Sequence, residues 1–341
     1  MAPSQRYSLS RGPMFTGYLH RLHLIFRDYM MTRPAKKSGR PHTVRLIAFA
    51  GVCSAILVAP PALAGKARDY LNAPVNTWVT FYNIALSNSV AAVDGAAEFG
   101  ITNVDTDITS QSLILSRIVD VGGRTGGLSF VLPHADIDAA AGPFGAGDTG
   151  IGDIGIVAEV NVFGAPALSR DGFAQWQPET FASFHLMSTF PTGAYDSDKR
   201  VNVGSNRWSL APTINYSYTP DAGWTWLEAY ATLRFFGDNT DAPGTADALK
   251  QDALYQIELH ASRNVTPDFW LAADAYYQWG GETHLDGVGQ DNAADTWSLG
   301  AGLGWRLPSV GTLFLNYEST VSSPAGQPEG DTIRLTLARV W

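Results

Sequence analysis

The chain has 341 residues and a formal net charge of −9 at pH 7. An acidic chain lacks the clustered basic side chains that bind phosphate backbones, which argues against nucleic acid as a partner. A single cysteine excludes a disulfide framework.

Residues 1–64 are predicted to be an N-terminal extension that ends in a secretory signal peptide. Basic residues up to Arg45 precede an apolar run at 46–58, and Ala62-Leu63-Ala64 follows as a small-x-small cleavage site. The apolar run is shorter than the roughly 20 residues that a membrane-spanning helix needs. We therefore expect cleavage near Ala64, and a lipoprotein box at Cys53 is the alternative. The start codon stays open among four methionines: Met1, Met14, Met30 and Met31.

Removal of this segment changes the charge of the remaining chain. Residues 1–64 hold nine of the 23 basic side chains, one of the 32 acidic ones and the only cysteine. The mature chain would start at Gly65, carry a net charge of about −17 and contain no thiol.

From residue 78 onward, apolar and polar residues alternate in twelve runs, the pattern of strands with one apolar face. The runs are 78–87, 108–120, 125–132, 151–163, 180–190, 208–218, 224–236, 253–261, 269–280, 296–307, 312–319 and 332–341. An even number of strands keeps both chain ends on one side of a membrane barrel.

The connections between these runs differ in length in a regular way. Short ones lie at 121–124, 164–172, 219–223, 262–268 and 308–311, and they alternate with long ones at 88–107, 133–150, 191–206, 237–252, 281–295 and 320–331. A barrel threaded through a membrane sorts its connections like this, because tight turns face one compartment and long loops the other. The predicted fold is all-β: a transmembrane antiparallel up-and-down β-barrel of about 12 strands at 78–341, with short periplasmic turns and long outer loops. Residues 65–77 are expected either to plug this barrel or to hang in the periplasm.

The alternation separates a lipid face from a lumen face. In the run 253–261, Tyr255, Ile257 and Leu259 oppose Glu258 and His260. Charges are costly in hydrocarbon, so the charged face is assigned to the lumen. Aromatic side chains on the lipid face form two girdles near the strand ends, with Trp208, Tyr255, Trp279 and Trp297 outside and Tyr216, Trp305 and Trp341 at the periplasmic end.

Two details concern the ends of the barrel. The chain finishes on Trp341, which looks like the C-terminal aromatic residue of bacterial outer-membrane barrels, and this predicts that location. In the run 108–120, Arg117 shares a face with Leu113 and Leu115. Either a β-bulge shifts the register there, or Arg117 extends to the membrane interface.

Ionisable side chains on the lumen face are the candidate site residues. They are Glu159, His185, Glu228, Arg234, Glu258, His260, Asp274, Arg306, Glu318 and Arg334. They form either buried ion pairs that fix the register or the lining of a permeation path that sets its selectivity. Gly300, Gly302 and Gly304 share one inward face and leave room there for a channel or a folded-in loop.

Several segments resemble the family named for the meta-pathway (MetA-pathway) of phenol degradation. They are ARDY at 67–70, NVFGAPAL at 161–168, PTGAYD at 191–196 and VNVGSNRW at 201–208, with Pro212 after the last. The resemblance covers essentially the whole mature chain. It implies an outer-membrane transporter, in some members associated with the breakdown of aromatic compounds, and it brings no catalytic residues.

The function expected is passive uptake of small hydrophobic or aromatic solutes, without catalytic residues, cofactor or metal. The partners are then the solute, outer-membrane lipid and lipopolysaccharide, and the barrel assembly machinery. One alternative is a structural or adhesive barrel with acidic outer loops. Another is an outer-membrane lipid hydrolase, because His260 and Ser262 lie two residues apart, as do Ser183 and His185 in reverse order.

Overall fold

The computed structural model describes residues 65–93, 101–244 and 246–341. All of them belong to one compact unit, Val44–Trp341. The predicted extension and signal peptide, 1–64, lie outside the described residues. Within the described ranges, no helix has the length and apolar character needed to span a membrane.

Strands dominate the described chain. They are β1 (Trp78–Ala92), β2 (Asn103–Val121), β3 (Arg124–Ala141), β4 (Phe144–Ile151), β5 (Gly155–Phe163), β6 (Phe181–Thr189), β7 (Ser209–Tyr218), β8 (Thr225–Phe236), β9 (Leu249–Gln251), β10 (Leu254–Thr266), β11 (Phe269–Gly280), β12 (Thr283–Leu285), β13 (Val288–Gly289), β14 (Ala294–Leu307), β15 (Gly311–Ser322) and β16 (Glu329–Val340). One short helix, α1 (Arg170–Gln175), lies between β5 and β6.

Twelve of these strands close into an antiparallel barrel. The order around it is β1, β2, β3, β5, β6, β7, β8, β10, β11, β14, β15 and β16, and β16 pairs with β1 to complete the ring. β4 pairs with the outer part of β3, and β9, β12 and β13 form a separate small sheet within the outer loops. The predicted fold and strand number are confirmed.

The outer connections are more ordered than the sequence predicted. β1, β2 and β3 continue into the predicted loops 88–107 and 133–150, and the pairing among them extends to Ala92, Asn103 and Ala140. The extension is stabilised because inward-facing Ile108 and Ile137 remain buried there. The predicted strand 151–163 is interrupted after β4, and β5 begins at Gly155.

The connection between β5 and β6 is longer than the predicted turn 164–172. It contains α1, whose N-cap is Ser169, and the Ser169 side chain accepts a hydrogen bond from the backbone N–H of Gly172. A serine N-cap followed by Asp171 is a recognisable helix start, which the strand pattern obscured.

The outward face of the strands is apolar, and the buried charged side chains of the strands lie on the inward face. Ile257 and Leu259 are 40% and 51% exposed, whereas Glu258 between them is 4% exposed. The pairing of β2 with β1 and with β3 has no bulge near Arg117, whose guanidinium lies 5.4 Å from the centre of the Trp78 ring. The interface position, and not a register shift, therefore explains Arg117.

Candidate functional site: the barrel lumen

The structure places the ten predicted lumen residues in three groups that differ in burial. Seven are buried: His185, Glu228, Arg234, Glu258, His260, Asp274 and Arg334. Glu159 and Glu318 are partly buried. Arg306 differs, because it is exposed near the β10–β11 turn, where it approaches Asp268 at 3.5 Å. It therefore lies at the periplasmic end of the barrel and not beside the buried carboxylates.

The N-terminal segment, residues 65–77, lies against these lumen side chains. The Tyr70 ring lies between His185 and Tyr230, with ring centres 4.0 and 4.8 Å away. The backbone N–H of Arg68 donates to Glu228 Oε2 at 2.8 Å. The Arg68 side chain donates to Ser262 Oγ at 2.8 Å and to Asn264 Oδ1 at 2.6 Å. Contacts on β6, β8 and β10 therefore hold this segment.

A chain of polar side-chain contacts crosses β5, β6 and β7. His185 Nδ1 lies 3.2 Å from Glu159 Oε2, and His185 Nε2 lies 2.7 Å from Ser183 Oγ. Asn215 Nδ2 donates to Ser183 Oγ at 3.0 Å, and Ser217 Oγ donates to Asn215 Oδ1 at 3.0 Å. Inward-facing residues of neighbouring strands lie side by side, so the period-2 pattern brings these groups together.

The chain continues to Glu228 on β8. Its Oε1 accepts hydrogen bonds from Ser217 Oγ at 3.2 Å and from the Tyr230 hydroxyl at 2.8 Å. Since Oε2 accepts the N–H of Arg68, both carboxylate oxygens have partners. Glu228 therefore joins the lumen wall to the N-terminal segment.

A second cluster lies on β10 and β11. His260 Nδ1 is 2.6 Å from Asp274 Oδ1, and His260 Nε2 is 3.3 Å from Glu258 Oε2. The side chains of all three are at most 5% exposed. One imidazole is thus held between two carboxylates, an arrangement that favours its protonated form.

The two histidine–serine pairs differ in geometry. His260 faces Asp274 and Glu258, while Ser262 accepts from Arg68, so these two do not form a nucleophile–base pair. Ser183, His185 and Glu159 do have the serine–histidine–acid order at hydrogen-bonding or ion-pair distances. They face the lumen beneath Tyr70, however, and not the bilayer where a lipid hydrolase must act.

The outer end of the lumen contains the loop between β6 and β7, residues 190–208. Val201 packs on the inward-facing Ile108, Ile137 and Ala139. Asp153 accepts the backbone N–H groups of Gly193 and Ser205, at 2.8 and 2.9 Å. This loop, which we call the mouth loop, therefore folds against the inner wall.

Charged groups fasten the mouth loop to its neighbours. Asp148 accepts from Lys199 Nζ at 2.7 Å, and this hydrogen bond raises the pKa of Lys199. Burial lowers the pKa of Arg207 to about 10, although the charges of Asp153 and Asp238 oppose the shift. Arg207 therefore stays cationic at neutral pH, and its guanidinium lies 4.7 Å from the centre of the Phe236 ring.

Sequence reasoning missed these lumen-filling residues because they lie outside the strands. Tyr70 and Arg207 gave no periodic signal. Asp153 falls in the predicted run 151–163, but it lies in the break between β4 and β5. Tyr70 and Arg207 do lie in segments of the family resemblance, 67–70 and 201–208. The family resemblance of these two segments was therefore the only feature of the sequence that pointed to Tyr70 and Arg207.

The acidic outer loops contain one three-residue group, among the described residues, with ligand atoms within 4.8 Å of one another: Asp252, Glu282 and His284. His284 Nε2 lies 3.2 Å from Asp252 Oδ2, and the Asp252 side chain is 64% exposed. An ordinary exposed hydrogen bond between His284 and Asp252 accounts for this contact.

Comparison with known proteins gives a family and a fold. The profile of the family described as "Putative MetA-pathway of phenol degradation" matches residues 84–337. An outer membrane channel from Pseudomonas putida is similar in structure, with a TM-score of 0.69 and 20% identity over 82% of this chain and 100% of that chain. The transport unit of the autotransporter AIDA-I from Escherichia coli gives a TM-score of 0.51 and 10% identity over 87% and 99% of the two chains. No curated protein sequence matches.

Proposed function

Because the chain belongs to the MetA-pathway of phenol degradation family, we propose that it is a channel for passive uptake of small hydrophobic or aromatic solutes. The protein is a twelve-stranded barrel of the bacterial outer membrane. Its apolar outer face suits lipid, and its inner face offers a polar route between the two compartments. The class of solute is inferred from the side chains that line the lumen.

The observation that carries the solute class is a set of aromatic rings facing the lumen. Trp226, Tyr230, Trp270, Tyr276 and Phe314 are each at most 8% exposed. Arg68 and Lys66 stack on two of these rings, with cation-to-ring distances of 4.7 Å to Trp270 and 4.8 Å to Phe314. Aromatic faces that hold cations and tyrosine can also hold a flat apolar solute.

The N-terminal segment lies on this route. A solute that follows the lumen meets Tyr70, which occupies the space between β6 and β8. Passage therefore needs Tyr70 to move aside, and the surrounding charges of Glu228, Glu258 and Arg234 would then line the path. These side chains would tune selectivity and not perform catalysis.

Processing and partners complete the proposal. The signal peptide ends near Ala64 and the mature chain starts at Gly65; N-terminal sequencing of the purified protein checks this. Outer-membrane lipid and lipopolysaccharide surround the barrel, and the barrel assembly machinery inserts it. No step requires a cofactor or a metal.

The channel is tested with a Tyr70→Ala variant in a liposome-swelling assay that uses small aromatic solutes and sugars. Removal of the ring should raise the swelling rate, and more for aromatic solutes than for sugars. Phe173→Ala in α1, where the ring contacts only Trp176 in the described aromatic pairs, is the matched control. Equal rates for wild type and both variants would contradict a permeation path past Tyr70.

The geometry of Ser183, His185 and Glu159 keeps a hydrolase as the second candidate. A fluorophosphonate probe, which reacts with activated serines, separates the two functions. We expect no labelling, since Tyr70 covers the histidine and Asn215 already engages Ser183. Labelling that is lost in Ser183→Ala but kept in Ser262→Ala would favour the hydrolase.

A further inference from the structure

Gly65 lies among buried groups inside the lumen. Its carbonyl oxygen accepts a hydrogen bond from the Tyr276 hydroxyl at 3.1 Å, and the neighbouring Glu258 Oε2 is buried without a hydrogen-bond partner in the described part of the chain. A Cβ at this position would lie 2.6 Å from Glu258 Oε2 and 3.0 Å from the Tyr230 ring. The backbone thus approaches the carboxylate so closely that only glycine fits without displacement.

The charges of Glu258, His260 and Asp274 do not balance within this cluster, and the buried Arg234 of β8 lies opposite Leu254 and not beside Glu258. His260 is shared between Glu258 at 3.3 Å and Asp274 at 2.6 Å, so one imidazolium faces two carboxylates. The two cations of the N-terminal segment are engaged elsewhere, since Lys66 pairs with Asp69 and Arg68 contacts Ser262. Two carboxylates therefore face one imidazole here, and a buried carboxylate without a counter-charge is strongly unfavourable.

A further, partly buried carboxylate, Glu318, lies near this cluster but has its own counter-charge. Glu318 on β15 also repels Glu258, but it is attracted by Arg334 on the neighbouring strand β16. Its own counter-charge is therefore local. The missing positive charge belongs beside Glu258, on the side where Gly65 lies.

We propose that Glu258 is the binding site for the α-ammonium group that signal-peptide cleavage creates on Gly65. Hydrolysis of the Ala64–Gly65 bond consumes one water and leaves a carboxylate on Ala64 and an ammonium on Gly65. The single neutral N–H that faces Glu258 becomes a cation with three donors, and charge-assisted hydrogen bonds are the stronger kind. The inference rests on the proposed cleavage after Ala64 and is independent of the solute.

This ion pair would couple signal-peptide cleavage to the binding of the N-terminal segment in the lumen. Before cleavage, the segment meets Glu258 through a neutral amide only. After cleavage, the ammonium supplies the absent charge and fixes Gly65 beside Tyr276 and Tyr230. The segment would then be held at both Gly65 and Arg68, on either side of Lys66.

The test measures how well the folded barrel protects its own α-amine. The mature protein is purified from the outer membrane, its first residue is sequenced, and it is treated with a pyridinecarboxaldehyde, which modifies α-amines and spares lysine. Mass spectrometry of the N-terminal peptide gives the rate. The wild-type α-amine should react several-fold more slowly folded than unfolded, and Glu258→Gln should restore much of the rate. Glu179→Gln, in the exposed connection before β6, is the matched control and should match wild type.

The outcomes separate the two proposals. A first residue other than Gly65 overturns the cleavage on which this inference rests. A chain that starts at Gly65 but reacts equally fast folded and unfolded overturns the ion pair alone. Protection that persists unchanged in Glu258→Gln also overturns it, since burial would then suffice. If the heat-modifiable gel shift shows that Glu258→Gln does not fold, Gly65→Ala replaces it with the same expected gain in rate.

Discussion

The lumen has two walls of different chemistry. The charged wall, on β5 to β11, carries Glu159, His185, Glu228, Glu258, His260 and Asp274, and it holds Gly65, Arg68 and Tyr70. The neutral wall, on β1 to β3, carries Asn83, Ser112, Ser116 and Ser129. In the neutral wall, polar side chains on adjacent strands form hydrogen bonds with each other. In the charged wall, some side chains have their partners in residues 65–77. The arrangement of these side chains therefore depends on a segment outside the barrel strands.

The largest difference between the walls should appear when a buried charge loses its partner. His260→Gln would leave Glu258 and Asp274 facing each other without the imidazolium, and we expect a loss of about 3 kcal/mol in the free energy of unfolding. Denaturant unfolding of the detergent-solubilised barrel measures it. His134→Gln on β3 is the control, because His134 takes part in no ion pair in the part of the chain that the structure describes. Equal losses of unfolding free energy in both variants would mean that the ion pairs of the charged wall do not stabilise the barrel.

The next effect tests whether the difference between the walls is confined to the lumen. Leu259 behind the charged wall and Leu115 behind the neutral wall are 51% and 42% exposed on the outer face. Leu259→Glu and Leu115→Glu should each destabilise the inserted barrel by about 2 kcal/mol, because each places a carboxylate in hydrocarbon. The yield of heat-modifiable barrel in the membrane fraction checks this. A much smaller effect at one site would show that its outer face does not contact lipid.

The two walls also differ in how far the sequence revealed them. A period of two residues reports which face a side chain occupies, so it identified the strands, the lipid face and the lumen positions of Glu228, Glu258 and His260. It does not report what fills the lumen, because the filling comes from non-strand segments such as the mouth loop and residues 65–77. Contacts such as Arg68 with Glu228 join residues far apart in sequence, and a local pattern carries no information about them. Arg306 illustrates a second limit of the sequence pattern. Alternation predicts which face of the strand a residue occupies, but not how far along the barrel axis the residue lies.

A smaller effect concerns permeation and not stability. Arg234 on β8 is 8% exposed and is a buried cation of the charged wall. Arg234→Gln should shift the reversal potential in a salt gradient toward cation selectivity while the barrel still assembles, since a lumen charge tunes selectivity. Lys250→Gln removes a charge whose side chain is 58% exposed, in an ion pair with Asp238 on the outer loops. That control should change the reversal potential less, and an equal change would place the selective region at the mouth.

The smallest effect belongs to the neutral wall, where Ser116 and Ser129 share a hydrogen bond of 2.6 Å between β2 and β3. Ser129→Ala or Ser116→Ala alone should reduce the free energy of unfolding by about 1 kcal/mol, because each leaves one buried hydroxyl without its partner. The double variant should lose little more than one single variant, because it removes both polar groups and leaves no hydroxyl unsatisfied. A double-mutant cycle in denaturant measures this coupling. Additive losses would show that each hydroxyl has a second partner, and the neutral wall would then depend on lumen contents as the charged wall does.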